Sequence, residues 1–196
     1  MGINKYKNIK VSSGNYKKFL GGGDEFWKQR GEFQLHLLKF FGLKSHNKLA
    51  DIGCGPLRAG SYFIEYLDSN MYFGFDSNKD FINISKSIIE NNILLNSKKP
   101  SVKYIEDFKL NFDDYDFVIL FSVLNHCDSI TRKKFFSTIL KRKKSVRIFV
   151  THAKWFNDPT LKIKNIILNN ECLPKQLDIE KWGWKNSDEI FPILEL

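Results

Sequence analysis

Residues 47 to 60 read Asn47-Lys48-Leu49-Ala50-Asp51-Ile52-Gly53-Cys54-Gly55-Pro56-Leu57-Arg58-Ala59-Gly60. A short apolar run, Leu49 to Ile52, carries one acid, Asp51, and ends in two glycines around Cys54. A helical pattern follows from Arg58. A strand that opens into a helix through a glycine turn lets a ligand lie directly on the backbone, because glycine has no Cβ to block it. A dinucleotide fingerprint puts a third glycine three residues after the second, where helix and strand pack closely. Here that position is Arg58, and the next glycine is Gly60.

Working outward, the segments alternate. Upstream, Gly21, Gly22 and Gly23 form a joint, Asp24 is a suitable N-cap, and residues 25 to 41 place Phe26, Phe33, Leu37, Phe40 and Phe41 at near-helical spacing. Downstream, residues 61 to 67 continue a short helix, and residues 71 to 75 predict a strand that ends at Asp76. Helix is expected over 79–91 and strand over 102–105. A strand apolar on both faces follows at 116–121, then helix over 131–141 and strand over 146–150. Residues 163–168 fit a strand or a helix, and 191–196 fit a final strand with Pro192 at its start or on an edge. The expected fold class is therefore α/β. A mostly parallel, Rossmann-like sheet carries helices on both faces, and ligands bind beyond the carboxyl ends of the strands. Residues 1–23 are expected to be a flexible lead-in and 24–196 a single domain.

The chain has 196 residues, 42% of them hydrophobic, enough for one domain with a sizeable core. No 18-residue apolar run is present and Met1 to Lys10 is polar and lysine-rich, so neither a signal peptide nor a membrane span is expected. The three cysteines, Cys54, Cys127 and Cys172, are far apart and form no Cys-x-x-Cys pair, which suggests neither a zinc site nor a disulfide framework. A cytoplasmic location is the simplest expectation. The net charge of +9 suits either a surface for an anionic partner or a lysine-heavy solvated exterior.

An acid two residues before a Gly-x-Gly resembles motif I of the class I S-adenosylmethionine-dependent methyltransferases, and the resemblance spans roughly residues 25 to 152. It implies a single fold with an antiparallel end to the sheet, and S-adenosylmethionine as cofactor. Asp51 would organise the loop near the cofactor's amino-acid part, and Gly53, Cys54 and Gly55 would pass under its methionine and ribose. Asp76, with Ser77 beside it, stands about 25 residues after Asp51, the separation at which a carboxylate meets a ribose. Asp107 would meet the adenine amino group, and the backbone of Phe108 the ring. The stretch Phe121-Ser122-Val123-Leu124-Asn125-His126 resembles the family's segment after the fourth strand, so Phe121 and Ser122 would border the cofactor.

His126 would then face the transferring methyl group, where an imidazole can take a proton from a hydroxyl nucleophile. His152, just after the fifth strand, is a second candidate for that role. The string Gly55-Pro56-Leu57-Arg58-Ala59-Gly60, with Trp27, Gln29 and Gln34 upstream, resembles a subset of these enzymes linked to sugar modification. In that subset Trp27 and Gln34 would close over the cofactor and Arg58 would pair with its carboxylate, or else run along its own helix. Trp155, Trp182 and Trp184 would belong to the acceptor pocket.

The resemblance thus implies O-methylation of a sugar or glycan. The alternative is an RNA methyltransferase using the basic surface, including Lys141-Arg142-Lys143-Lys144. That run falls between a helix and a strand, the usual place for solvated charge, and no Asn-Pro-Pro-Tyr is present. A nicotinamide-dependent enzyme is disfavoured by Arg58, and a binding-only fold by the intact glycines, Asp51 and Asp76. The oligomeric state is open.

Overall fold

The computed structural model describes residues 9–12, 14–20, 22–106, 108–139, 141, 145–153, 165–167 and 193–196. Seven strands form one sheet: β1 (Leu49–Ile52), β2 (Tyr72–Asp76), β3 (Ser101–Tyr104), β4 (Phe117–Leu120), β5 (Arg147–Val150), β6 (Asn165–Ile167) and β7 (Ile193–Glu195). Their order is β3-β2-β1-β4-β5-β7-β6. The first five pair in parallel, while β7 runs antiparallel between β5 and β6. This is the expected α/β architecture with an antiparallel end. The strand order reverses between β1 and β4, which opens a crevice beyond their carboxyl ends.

Alternation along the strands divides the core. Leu49, Phe117, Ile119 and Phe149 pack on one side of the sheet, with Phe33 and Leu37 of α2 (Asp24–Phe40) and Phe63 of α3 (Gly60–Tyr66). Ala50, Ile52, Val118, Leu120, Ile148 and Val150 face the other side, with Phe135 and Ile139 of α6 (Ser129–Ile139). The period of two that a strand imposes thus sends one apolar run into two cores. Arg147 at the start of β5 joins three elements. Its Nε donates to Glu195 Oε1 of β7 at 2.7 Å, its Nη1 donates to the Phe41 carbonyl after α2, and its guanidinium lies over the rings of Phe117 and Phe149.

Several boundaries differ from expectation for local reasons. Asp24 is the first residue of α2, and Gly23 caps the helix. The Asp24 carboxylate accepts from Lys17 Nζ at 2.6 Å, just after α1 (Tyr16–Phe19) begins, so it is engaged away from the helix amides. Helix α3 begins at Gly60 rather than Arg58, because Leu57 takes a left-handed backbone (φ +58°) that prolongs the turn. Arg58 therefore lies in the turn and has no helix to run along. A short helix, α5 (Ile93–Ser97), follows α4 (Lys79–Glu90) unannounced; the side chain of Asn92 caps it by accepting from Leu95 N at 3.1 Å. Of the ambiguous C-terminal stretches, 165–167 and 193–195 are strands. Trp155, Trp182, Trp184, Pro192 and residues 142–144 lie outside the described residues. Among the described residues no helix is long and apolar enough to cross a membrane.

Candidate functional site

The carboxyl end of β1 turns through Gly53 and Gly55, both with left-handed backbone (φ +76° and +53°). A Cβ on Gly53 would stand 2.4 Å from Val123 Cγ2, whereas a Cβ on Gly55 would meet nothing within 4 Å. The first glycine is needed for packing, and the second leaves open backbone facing space. The turn is pinned from both sides. Gly53 N and Cys54 N donate to the Phe75 carbonyl at 2.7 and 3.1 Å, Gly55 N donates to Asp76 Oδ2 at 3.0 Å, and Ser85 Oγ donates to the Gly55 carbonyl at 2.7 Å.

Asp76 ends β2 and is buried. Its Oδ1 also accepts from Asn78 N at 2.8 Å. Burial pushes its carboxyl up to about 6, against the pull of these amides, from Asn78, Gly55 and Ser77. These three amides take three of the roughly four acceptor positions a carboxylate offers, which leaves one for a further donor. Asp51 sits behind the turn, also buried, and accepts from the Tyr72 hydroxyl at 2.8 Å. Burial lifts its carboxyl to about 7; the Tyr72 bond holds it down and the nearby Asp76 charge raises it.

Helix α2 supplies the next wall. A Cβ on Gly31 would fall 2.2 Å from the Arg58 carbonyl and 2.6 Å from the Tyr62 ring, so only glycine lets the helix lie against the turn. That close approach brings Trp27 and Arg30 to the crevice, and the Arg58 guanidinium stands 5.6 Å from the Trp27 ring centroid. Tyr16 of α1 packs edge-on against Trp27 at 5.4 Å, and Leu20 lines the same space.

The ends of the other strands close the site. Phe108, Ser122 and His152, after β3, β4 and β5, all have left-handed backbones (φ +55°, +59° and +59°). Ser122 N donates to Thr151 Oγ1 at 2.9 Å, and Thr151 Oγ1 lies 2.7 Å from His152 Nδ1. The Phe121 ring meets the His152 ring edge-on at 5.4 Å. Burial, helped by the positive surroundings of His126, Arg58 and Arg30, lowers His152 from its usual 6.5 to about 3, so the ring is neutral at physiological pH.

Together these residues enclose a cavity of about 280 Å³. Gly53, Cys54, Gly55 and Arg58 line it from the first turn, and Asp76 and Ser77 from the second. Phe108, Phe121, Ser122, His126 and His152 line it from the later strand ends. Burial pushes the Cys54 thiol well up and that of Cys127 to about 11, which keeps both protonated and unreactive at neutral pH.

Two sequence candidates stand elsewhere. Asp51 is behind the turn, and Gln34 lies further along α2, buried, with its Nε2 donating to the Arg30 carbonyl at 3.2 Å. Asp107 lies outside the described residues. Arg30, Val123, Phe81 and Thr131 also line the cavity and were not singled out. For Arg30 a signal existed: it stands three residues after Trp27 on the same helix face.

No protein-family model and no curated protein matches the chain. Solved structures do. Magnesium protoporphyrin IX methyltransferase (ChlM) from Synechocystis PCC 6803, with bound SAM, aligns with a TM-score of 0.60 and 15% identity over 96% of this chain and 98% of that one. A SAM-dependent methyltransferase from Aquifex aeolicus gives 0.61 and 14% over 95% and 98%. The YcgJ protein from Bacillus subtilis gives 0.50 and 14% over 61% of this chain, which spans half the length of that protein. The reversal of strand order at β1 and β4, the antiparallel β7 and these alignments agree: the chain has the Rossmann-like fold of the class I S-adenosylmethionine-dependent methyltransferases.

Proposed function

We propose that the chain transfers a methyl group from S-adenosylmethionine to a hydroxyl oxygen of a sugar or glycan. The observation that carries the reading is the glycine turn coupled to Asp76. Gly55 leaves open backbone where a ligand can lie, and the Asp76 carboxylate is oriented by the Gly55 and Asn78 amides. The remaining acceptor position of that carboxylate suits a ribose hydroxyl. Residues with these properties fit the adenosyl group.

Bound S-adenosylmethionine supplies a methyl carbon activated by an adjoining sulfonium. The chain's own residues bind, orient and move the proton. Asp76 holds the ribose, the Phe108 backbone borders the adenine, and Arg58 offers its guanidinium to the cofactor carboxylate. Trp27, Phe81 and Phe121 keep water from the reacting atoms. Holding both reactants in line is the main contribution, and His126 takes the hydroxyl proton. The sugar assignment is supported by the Gly55 to Gly60 string and Trp27 near the cavity.

The test is transfer of a labelled methyl group from S-adenosylmethionine into two separated pools, cell RNA and nucleotide sugars with glycans. Label in the sugar pool supports the proposal. Label in RNA replaces the acceptor and assigns work to the basic surface. No label and no binding of S-adenosylhomocysteine overturns the proposal entirely.

A further inference from the structure

The Thr151 hydroxyl is fully buried at the end of β5. Among the described residues its Oγ1 has two hydrogen-bonding neighbours, Ser122 N at 2.9 Å and His152 Nδ1 at 2.7 Å. A hydroxyl has one proton to give and two lone pairs. The Ser122 amide can only donate, so it occupies a lone pair. Among the described residues the hydroxyl proton then has one acceptor within reach, the Nδ1 lone pair, and a buried hydroxyl proton is rarely left without an acceptor. An imidazole that accepts at Nδ1 while neutral carries its own hydrogen on Nε2.

We propose that Thr151 is a positioning residue that fixes His152 as the Nε2–H tautomer, so that His152 presents a hydrogen-bond donor to the acceptor's oxygen and His126 alone serves as the base. The tautomer follows from hydrogen-bond accounting; its catalytic meaning rests on the methyltransferase reading. The environment agrees, because burial and the positive charges of Arg30 and Arg58 keep the ring from taking a second proton. The Ser122 amide is the anchor of the relay. It ties the left-handed turn after β4 to the one after β5, so the two strand ends that carry the histidines are held in register with each other.

The experiment is a long-range proton–nitrogen correlation spectrum of the full chain labelled with 15N-histidine, recorded without cofactor, with His152 assigned by loss of its signals in His152→Gln. The expected result is an unprotonated Nδ1 and a protonated Nε2. Thr151→Ser keeps that pattern, because the hydroxyl is retained, and Thr151→Val shifts the ring to a mixture of tautomers. A protonated Nδ1 in the unaltered chain overturns the proposal, whether or not the valine variant folds. So does a Thr151→Val spectrum with an unchanged tautomer. Because the spectrum is read on the free protein, failure to find methyl transfer overturns the proposed function and leaves the tautomer assignment standing.

Discussion

The Tyr72 hydroxyl donates a 2.8 Å hydrogen bond to Asp51 Oδ2, and neither residue lines the cavity. The acid of the glycine motif is held by a tyrosine on the neighbouring strand, behind the turn it supports. Removing the hydroxyl leaves a buried carboxyl without its donor, a cost of about 1–3 kcal/mol. Tyr72→Phe is expected to lose that much stability in urea unfolding. The loss is larger at pH 8 than at pH 5, because the ionised carboxylate is the form that needs the donor.

The two glycines of the turn are expected to fail differently. Gly53→Ala brings a methyl group to 2.4 Å from Val123 Cγ2 in a left-handed conformation, and overpacking of that kind costs about 1–3 kcal/mol. Pairing it with Val123→Ala recovers part of the loss. Gly55→Ala meets no atom, so it carries only the left-handed penalty of roughly 1–2 kcal/mol. It nevertheless weakens S-adenosylhomocysteine binding at least tenfold. Thermal unfolding with and without that ligand separates the two variants.

Proton competition at Asp76 gives a pH dependence. Its carboxyl titrates near 6 in the folded chain against an ordinary value of 3.8, and Asp51 near 7. Both hold protons more tightly folded than unfolded, so their contribution to stability is fully present below about pH 4. It is lost as pH rises through 6 to 7. Ligand binding is expected to run the other way, since on the proposed reading the ionised carboxylate accepts a ribose hydroxyl. Calorimetric affinity for S-adenosylhomocysteine is expected to rise from pH 5 to pH 7.5 and then level, and Asp76→Asn removes the slope.

His126→Ala is expected to lower turnover by about 10²–10⁴-fold, the usual contribution of a positioned base. Affinity for S-adenosylhomocysteine stays within a factor of about two. Unchanged turnover sinks the base assignment; a parallel loss of ligand affinity means the residue shapes the cavity instead.

The glycine turn, the acid at the end of the second strand and the segment around Ser122 were legible because each is local. Their chemistry is written in a few adjacent residues, and a parallel sheet gathers its strand ends at one edge. The misplacement of Gln34 shows where that logic stops. Trp27, Arg30 and Gln34 share a face of one helix by spacing, but spacing along a helix does not say where the cavity ends along its axis. The first two reach the cavity, and Gln34, one turn further, is buried. The Tyr72 bond to Asp51 was hidden for another reason. It depends on the register of β1 against β2, which sets Asp51 opposite Gly74 and so close to Tyr72, two residues earlier. Register is a property of two strands at once, and no single stretch of sequence carries it.

Phe108, Ser122 and His152 hold left-handed backbones without being glycine, and all three border the cavity. At Ser122 glycine would release about 1–2 kcal/mol of conformational penalty against roughly 0.5–1 kcal/mol of added freedom in the unfolded chain, whereas at Phe108, buried against Phe135, and His152, packed on Phe121, the lost side-chain contacts outweigh that gain. A laboratory lineage selected for heat resistance alone therefore has an easy path through the Ser122 codon and none through the other two. That step removes a side chain from the cavity rim, so survivors of such a selection should be hardier proteins and poorer catalysts.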